Sequence, residues 1–280
     1  MSRRILSNLP TKLDVKFMEK LLVIKIGGNV IDNPEALDRF LSSFSNLPQH
    51  KILIHGGGKI ATQVAEKLGI ETLMVDGRRI TDEAMLNVVT MVYGGLVNKT
   101  IVGKLQQKGS NAIGLTGADA RVIKARKRPI KEIDYGFVGD VEAVDSHQFS
   151  SFLHGGLVPI VAPLTFDPAS GSMLNTNADT MASSVAVALA TQFEVNLVYC
   201  FEKKGVLSDP TNDEAVIPQI DPSAYQAYKA EGVINKGMIP KLDNAFAALQ
   251  NGVAKVTICH ADQLATAVNE GSAGTQLTNG

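Results

Sequence analysis

The chain has 280 residues, 45% of them hydrophobic and 20% charged, with 27 basic residues against 28 acidic ones. That is enough for one large domain or two lobes with ample core, and the charge balance excludes an overall basic footprint for nucleic acid or an acidic tail. Aromatic residues are 5% and tryptophan is absent, so stacking of bases on aromatic side chains is not expected.

Leu21–Ile26 (LLVIKI) reads as a short buried strand that stops at Gly27-Gly28. Pro34–Phe44 has helical spacing at Leu37, Phe40, Leu41 and Phe44, and Lys51–His55 is a second strand ending at Gly56-Gly57-Gly58. Lys59–Leu68 is a helix stopped by Gly69, and Thr81-Asp82 caps a long helix running towards Gln107. Asn111–Leu115 is a third buried strand. Between Ala120 and Val144 the alternation, broken by Pro and Gly, predicts a β-hairpin flap whose basic cluster reads as a solvated face. Leu157–Ala162 is a fourth strand and Phe166–Leu174 a second hairpin. Asn177–Thr191 is a helix with Ala182, Val185, Ala186 and Leu189 on one face. Val195–Phe201 and Ala254–Cys259 are further strands, and Asn235–Gln250 is a helix with a stripe through Met238, Leu242, Ala245, Phe246 and Leu249.

Apolar strands alternating with helices predict an α/β fold with a mainly parallel sheet covered on both faces. Ligands then bind beyond the carboxyl ends of the strands, where the glycine turns lie. The expected organisation is an extension over residues 1–20, a lobe over 21–192 and a lobe over 193–280. Cys200 and Cys259, each in an apolar run, read as buried thiols of a reducing compartment. The start lacks the apolar core of a signal peptide and no run approaches a membrane span, so a cytoplasmic chain with no membrane partner is expected.

The stretch "ILIHGGGK" admits three readings: a tight turn, an oxyanion loop of an esterase, or an anion site at a helix N-terminus. The esterase reading lacks its Gly-x-Ser-x-Gly pentad. A dinucleotide fingerprint through Gly56, Gly58 and Ala61, with Asp76 about twenty residues on, is weakened because this strand is the second in the chain and Asp76 lies in a turn-like "MVDGRRITD". Lys25 interrupts a buried strand two residues before the other glycine turn. An anion held at that turn accounts for it, with a solvated edge strand as the alternative. "LNTNADT" offers helix caps in Thr176 or Asn177, but a cap does not account for Asn175, Asn177 and Asp179 together.

The segments "VIKIGGN", "ILIHGGGK", "GRRIT", "YGGLVNK", "GLTGADA", "VGDV", "LVPIVAPL", "LNTNADTMA", "KKGVL", "NKGMIPKL" and "GTQL", in this order, resemble the amino-acid kinase family and most closely its N-acetylglutamate kinase branch. The resemblance implies the carbamate kinase-like fold, an open αβα sandwich with hairpin flaps. It places the amino-acid substrate on the N-terminal lobe and ATP on the C-terminal lobe. The implied reaction is ATP-dependent phosphorylation of the γ-carboxylate of N-acetyl-L-glutamate, the second step of arginine biosynthesis. By this resemblance Lys25 holds the transferring phosphoryl oxygens, Lys241 neutralises the ATP phosphates, and Asp179 orients both ammonium groups. Gly27, Gly28, Gly57 and Gly58 offer N–H groups to phosphoryl and carboxylate oxygens. Arg79, Asn175 and Asn177 take the amino-acid end, while Glu202, Lys204, Gly205, Val206, Gly237 and Met238 border the nucleotide. Magnesium is expected on the ATP phosphates with no direct protein ligand. The loop "CFEKKGVL" departs from the family, with Glu202 standing where a small residue and Asp are usual. The short stretch before the first strand points to a homodimer without arginine inhibition.

N-succinyl-L-glutamate is the alternative substrate, with Arg121, Lys124 and Arg126 of the flap as candidate cations for its extra carboxylate. Sister kinases such as aspartokinase or carbamate kinase, an NAD(P)-dependent oxidoreductase and a non-catalytic ATP-binding regulator are the remaining readings.

Overall fold

The computed structural model describes residues 18–75, 77–234 and 238–280. The expectations for the N-terminal stretch, Asp76, Gly237 and the start of the helix placed at Asn235 lie outside these residues. In chain order the first half holds β1 (Lys20–Ile26), α1 (Gly28–Ile31), α2 (Pro34–Ser45), β2 (His50–His55), α3 (Gly58–Lys67), β3 (Met74–Val75) and β4 (Arg78–Arg79). A long helix follows as α4 (Glu83–Val89), a π-helical stretch Thr90–Val97, and α5 (Asn98–Gln107). Then come β5 (Ala112–Leu115), β6 (Ile123–Lys127), β7 (Gly139–Val144), α6 (Ser146–His154), β8 (Val158–Val161), β9 (Leu164–Phe166), β10 (Met173–Asn175) and α7 (Ala178–Leu189). The chain ends with β11 (Glu194–Phe201), β12 (Gln219–Ile220), α8 (Pro222–Ala230), α9 (Ile239–Gln250), β13 (Lys255–His260), α10 (Leu264–Asn269) and β14 (Thr275–Leu277).

Eight strands form one sheet in the order β12-β14-β13-β11-β1-β2-β8-β5. Its pairs are parallel except β13 with β14. The strands are apolar because both faces are covered. Side chains alternate across the pleat: Leu21 and Val23 join the cluster under α6, α7, α8 and α9, while Leu22, Ile24 and Ile26 join the one under α2, α4, α5 and α10. Three layers result. β1 lies between β2 and β11, so strand order departs in both directions from it, the place where open α/β sheets bind ligands.

The two predicted hairpins are present but joined. β6 pairs antiparallel with β7, β9 with β10, and β6 meets β9 in parallel, giving a four-stranded sheet of its own. Cys200 and Cys259 are free, buried and opposite each other on β11 and β13, with sulfurs 3.8 Å apart.

The helix Glu83–Gln107 is 25 residues long and, by length and composition, apolar enough to cross a membrane. The sequence analysis places a long helix here and no membrane span. Met85, Val88, Val92, Val97, Ile101 and Leu105 are buried in the core on one side of the sheet, which accounts for its hydropathy.

Candidate active site

Period two puts Lys25 on the same face of β1 as Leu21 and Val23, the face covered by α7. β1 is a central strand, so the solvated-edge alternative for Lys25 does not hold. α7 opens there, capped by Asn177, whose side-chain oxygen accepts from the Thr180 N–H at 3.0 Å. The first turn carries Asp179. Its Oδ1 lies 2.7 Å from Lys25 Nζ and its Oδ2 accepts from Lys241 Nζ at 2.6 Å. Lys241 comes from the first turn of α9. One carboxylate therefore holds two ammonium groups from two separate elements.

Phe201, at the end of β11, forms the wall beneath them. Its ring centroid is 5.2 Å from Lys25 Nζ and 4.6 Å from Lys241 Nζ. Tyr199 stacks on Phe201, and its hydroxyl donates to the Asp179 carbonyl at 3.3 Å. Burial pushes the Lys25 pKa down, and the Lys241 charge adds to this against the pull of Asp179. Burial works to raise the Asp179 pKa, but Lys25 and Lys241 outweigh it and hold the carboxyl below its ordinary value.

The glycine turns after β1 and β2 pack on each other. The Gly56 N–H donates to the Ile26 carbonyl at 3.2 Å, and a Cβ on Gly56 would sit 3.6 Å from the Gly28 nitrogen. Gly27 donates its N–H to the Cys200 carbonyl at 3.3 Å, so its amide ties β1 to β11. Gly57 has φ +150°, and a Cβ there would come within 3.0 Å of the Tyr93 ring. His55 braces the turn from below: buried Nδ1–H donates to the Gly56 carbonyl at 2.7 Å, and Nε2 accepts from the Asn98 amide at 3.1 Å. Gly27 and Gly57 are the N-cap residues of α1 and α3 and supply no side-chain cap. By contrast α2, α4, α6, α7 and α8 are capped by Asn33, Asp82, Asp145, Asn177 and Asp221. At the site α7 is capped by Asn177, while α1 and α3 begin at glycines without a capping side chain, which leaves their first N–H groups open to an anion.

Two cavities flank the Lys25–Asp179–Lys241 group. One, of about 230 Å³, is lined by Gly57, Gly58, Arg79, Tyr93, Asn175 and Asn177 among others. Arg79 is buried there; Nη2 donates to the Gly58 carbonyl and to the Thr62 hydroxyl, each at 2.8 Å, so it also anchors the first turn of α3. Asn175 Nδ2 donates to the Thr81 hydroxyl at 3.0 Å. The second cavity, about 300 Å³, is lined by Phe201, Glu202, Gly205, Val206, Met238 and Lys241 among others. Lys204 does not line it and pairs with Glu214, while Lys203 does.

The sequence reading missed Phe201, Tyr93 and Arg128. Phe201 lies two residues beyond Tyr199, which is opposite Lys25 in register, so strand period alone could have placed it on this face. Tyr93 and Arg128 reach the first cavity through the π-helical stretch and the flap, which no local pattern reveals. Of the flap cations first considered, Arg121 is exposed and Arg126 is exposed facing Glu142; neither lines the first cavity.

Residues 20–260 match the model of the amino acid kinase family. The chain is 58% identical over 262 residues to an acetylglutamate kinase from Cytophaga hutchinsonii, covering 93% of this chain and 99% of that one. It is 57% identical over 251 residues to an acetylglutamate kinase from Bacteroides fragilis, covering 90% and 96%. Among solved structures, smu.665 from Streptococcus mutans superposes with TM-score 0.75 at 30% identity, covering 93% of this chain and 99% of that one. Carbamate kinase from Giardia lamblia bound to AMP-PNP superposes with TM-score 0.68 at 13% identity, covering 94% and 99%, and speaks for the fold alone. With the family model spanning most of its length, the chain belongs to the amino acid kinase family.

Proposed function

We propose that this chain transfers the γ-phosphoryl group of ATP to the γ-carboxylate of N-acetyl-L-glutamate, giving the acyl phosphate of arginine biosynthesis. The observation that carries the reading is the carboxylate of Asp179 holding Lys25 and Lys241 between two cavities, each bordered by a different set of polar groups. The acetylglutamate kinases from Cytophaga hutchinsonii and Bacteroides fragilis, to which the chain is similar, support this substrate.

The acceptor carboxylate has an ordinary pKa of about 4.3 and is already ionised at neutral pH, so no general base is required. The obstacle is an anion attacking a polyanion. A carboxylate oxygen forms a bond to the γ-phosphorus while the bond to the bridging β–γ oxygen breaks, and the leaving charge stays on ADP. Lys25 faces the transferring oxygens and Lys241 the nucleotide phosphates. Asp179 fixes both ammonium groups and takes no proton. Such preorganised charge is the main source of rate in phosphoryl transfer.

The N–H groups of Gly28, Gly57 and Gly58 hold phosphoryl and carboxylate oxygens, with Gly27 keeping the turn tied to β11. Arg79, Asn175 and Asn177 hold the amino-acid end in the lobe of residues 21–192. Glu202, Gly205, Val206 and Met238 border the nucleotide in the lobe from 193 on, with Lys203 taking the place first given to Lys204; Gly237 precedes Met238 in the same segment. Asp179 is engaged by two ammonium groups and is not assigned to magnesium. The ion's charge, carried on the nucleotide phosphates, supplies part of the neutralisation. The chain works in the cytoplasm as a homodimer.

One observation favours N-succinyl-L-glutamate as a second substrate. Arg128 lines the first cavity, is held at Nε and Nη2 by Asp140, and keeps a buried Nη1 with no hydrogen-bond partner among the described residues. An extra carboxylate would satisfy it. Trapping the acyl phosphate as a hydroxamate with ATP and each acylglutamate separates the two. The expected result is a kcat/KM at least tenfold higher for acetyl. A reversed preference that Arg128→Gln abolishes would replace acetyl by succinyl, and no acyl phosphate from either would overturn the kinase reading.

A further inference from the structure

At the opposite end of the sheet, three chemistry-bearing side chains converge that the reaction does not use. Glu19 immediately precedes β1, His50 opens β2 and His154 ends α6. Glu19 Oε2 lies 3.0 Å from His154 Nε2 and 3.5 Å from His50 Nε2, and one ligand atom from each residue falls within 4.8 Å of the others. We propose that Glu19, His50 and His154 form a binding site for a divalent transition-metal ion of the zinc type.

The donor set fits that class. Two imidazoles and a carboxylate are the usual nitrogen and oxygen ligands of zinc, and three protein ligands leave a fourth position for water. Bonds of about 2.0–2.2 Å in a tetrahedron put ligand atoms roughly 3.3–3.6 Å apart. The His50–Glu19 distance already lies in that range, and the His154–Glu19 distance must open by about 0.3–0.6 Å on the same scale.

The ligands are also held for the purpose. Phe193 is 2% exposed and packs against both imidazoles, stacked on His154 at 5.8 Å and edge-on to His50 at 6.0 Å. Ser150 Oγ lies 3.2 Å from His154 Nδ1, so a second group holds the ring with its Nε2 turned to Glu19. The Glu19 carbonyl accepts from the Glu194 N–H at 2.9 Å, which fixes the backbone before β1. All three ligand side chains retain solvent contact, with Glu19 and His154 more than half exposed, and a cavity beside them gives an ion a path in.

Lys20–Ile26 spans β1, so this cluster stands roughly 20 Å from the Lys25 end at about 3.3 Å per residue. An ion here takes no part in phosphoryl transfer. It ties the start of β1 to the start of β2 and the end of α6, three separate elements, and it stabilises the folded chain by mass action.

The test is titration of the chelator-stripped full-length chain with Zn2+, and in parallel with Co2+, whose visible absorption reports a tetrahedral nitrogen and oxygen set. The expected result is one ion per chain with a Kd of about 10 µM or tighter, the tetrahedral Co2+ spectrum, and a rise in Tm with added Zn2+. His50→Gln and His154→Gln should each weaken binding by tenfold or more and remove the Tm rise, while metal-free Tm and circular dichroism report that each variant is folded. If a variant does not fold, Glu19→Gln, on the most exposed ligand, gives the same readouts. Absence of stoichiometric binding, or binding unchanged in the folded variants, would overturn the proposal and leave the three groups as a hydrogen-bonded surface cluster.

Discussion

Asp179 shows how a residue with an ordinary bland reading acquires a role from what surrounds it. Alone it is an acidic residue in the first turn of a helix, favoured there by the helix dipole. Placed against Lys25 and Lys241 it becomes the counter-charge that lets two ammonium groups face each other across a buried site. His55 is the other residue whose surroundings decide its chemistry. Its two ring nitrogens are both committed in the neutral form, one donating to Gly56 and one accepting from Asn98. Full burial, with Lys99 adding to it and the Gly56 bond opposing, pushes its pKa down from 6.5 to about 4. The unfolded chain therefore takes up a proton at this residue below pH 6.5 and the folded chain does not until about pH 4. Stability is present above the unfolded value and is lost as pH falls between the two, on the order of 3 kcal/mol by linkage. Urea denaturation at pH 7 and pH 4.5 should show this loss in the native chain. His55→Gln should lose less over the same interval by most of that amount. Equal losses in both would mean that His55 already carries a proton in the folded state.

Among the elements, α3 is the one whose geometry the site depends on most. Gly57 has a backbone angle that side chains rarely adopt, and the Tyr93 ring closes the space beside it. Gly57→Ala should cost about 1–3 kcal/mol of stability and lower turnover more than tenfold, because the first-turn N–H groups shift. Gly103→Ala, within α5 with open space around it, should instead raise stability by roughly 0.5–1 kcal/mol and leave turnover unchanged. A Gly57→Ala variant of normal stability and rate would show that the turn tolerates a side chain. Much of this was readable from the sequence. Buried parallel strands are apolar runs, so β1, β2, β8, β11 and β13 were found within a residue or two, and Lys25 stood out as a charge inside such a run, although the face it takes came from the fold. The glycine turns were found because glycines interrupt such runs. What was not readable depends on distant partners. β12 and β14 have two and three residues and exist by pairing with strands far away. The parallel contact that fuses the hairpins rests on Lys124 meeting Phe166. α8 carried its own signal, Asp221 before Pro222, but its apolar face is narrow, with Tyr225 its buried residue. Arg128 reached the site only through the folding of the flap.

For the whole molecule, the π-helical stretch does two things at once. Its inner side presents Tyr93 to Gly57, while Met91 and Leu96 are each 55% exposed. Two large apolar side chains on one outer face suit a second copy of the chain. Sedimentation of the wild type should give a dimer and Leu96→Glu a monomer or a strongly weakened dimer; an unchanged dimer would place the interface elsewhere. The eight-stranded sheet carries β1 and β11 side by side, so residues from both halves of the chain meet at Lys25, Asp179 and Lys241. That meeting point is the proposed place of phosphoryl transfer. The most direct measurement is the rate of acyl phosphate formation from ATP and N-acetyl-L-glutamate, trapped as the hydroxamate, by the wild type and by Lys25→Ala. Turnover should fall by about 10²–10³, the scale of losing one preorganised charge contact, while the KM for ATP changes by less than about fivefold, because the contact is strongest in the transition state. A Lys25→Ala enzyme that turns over at near the wild-type rate would contradict the account.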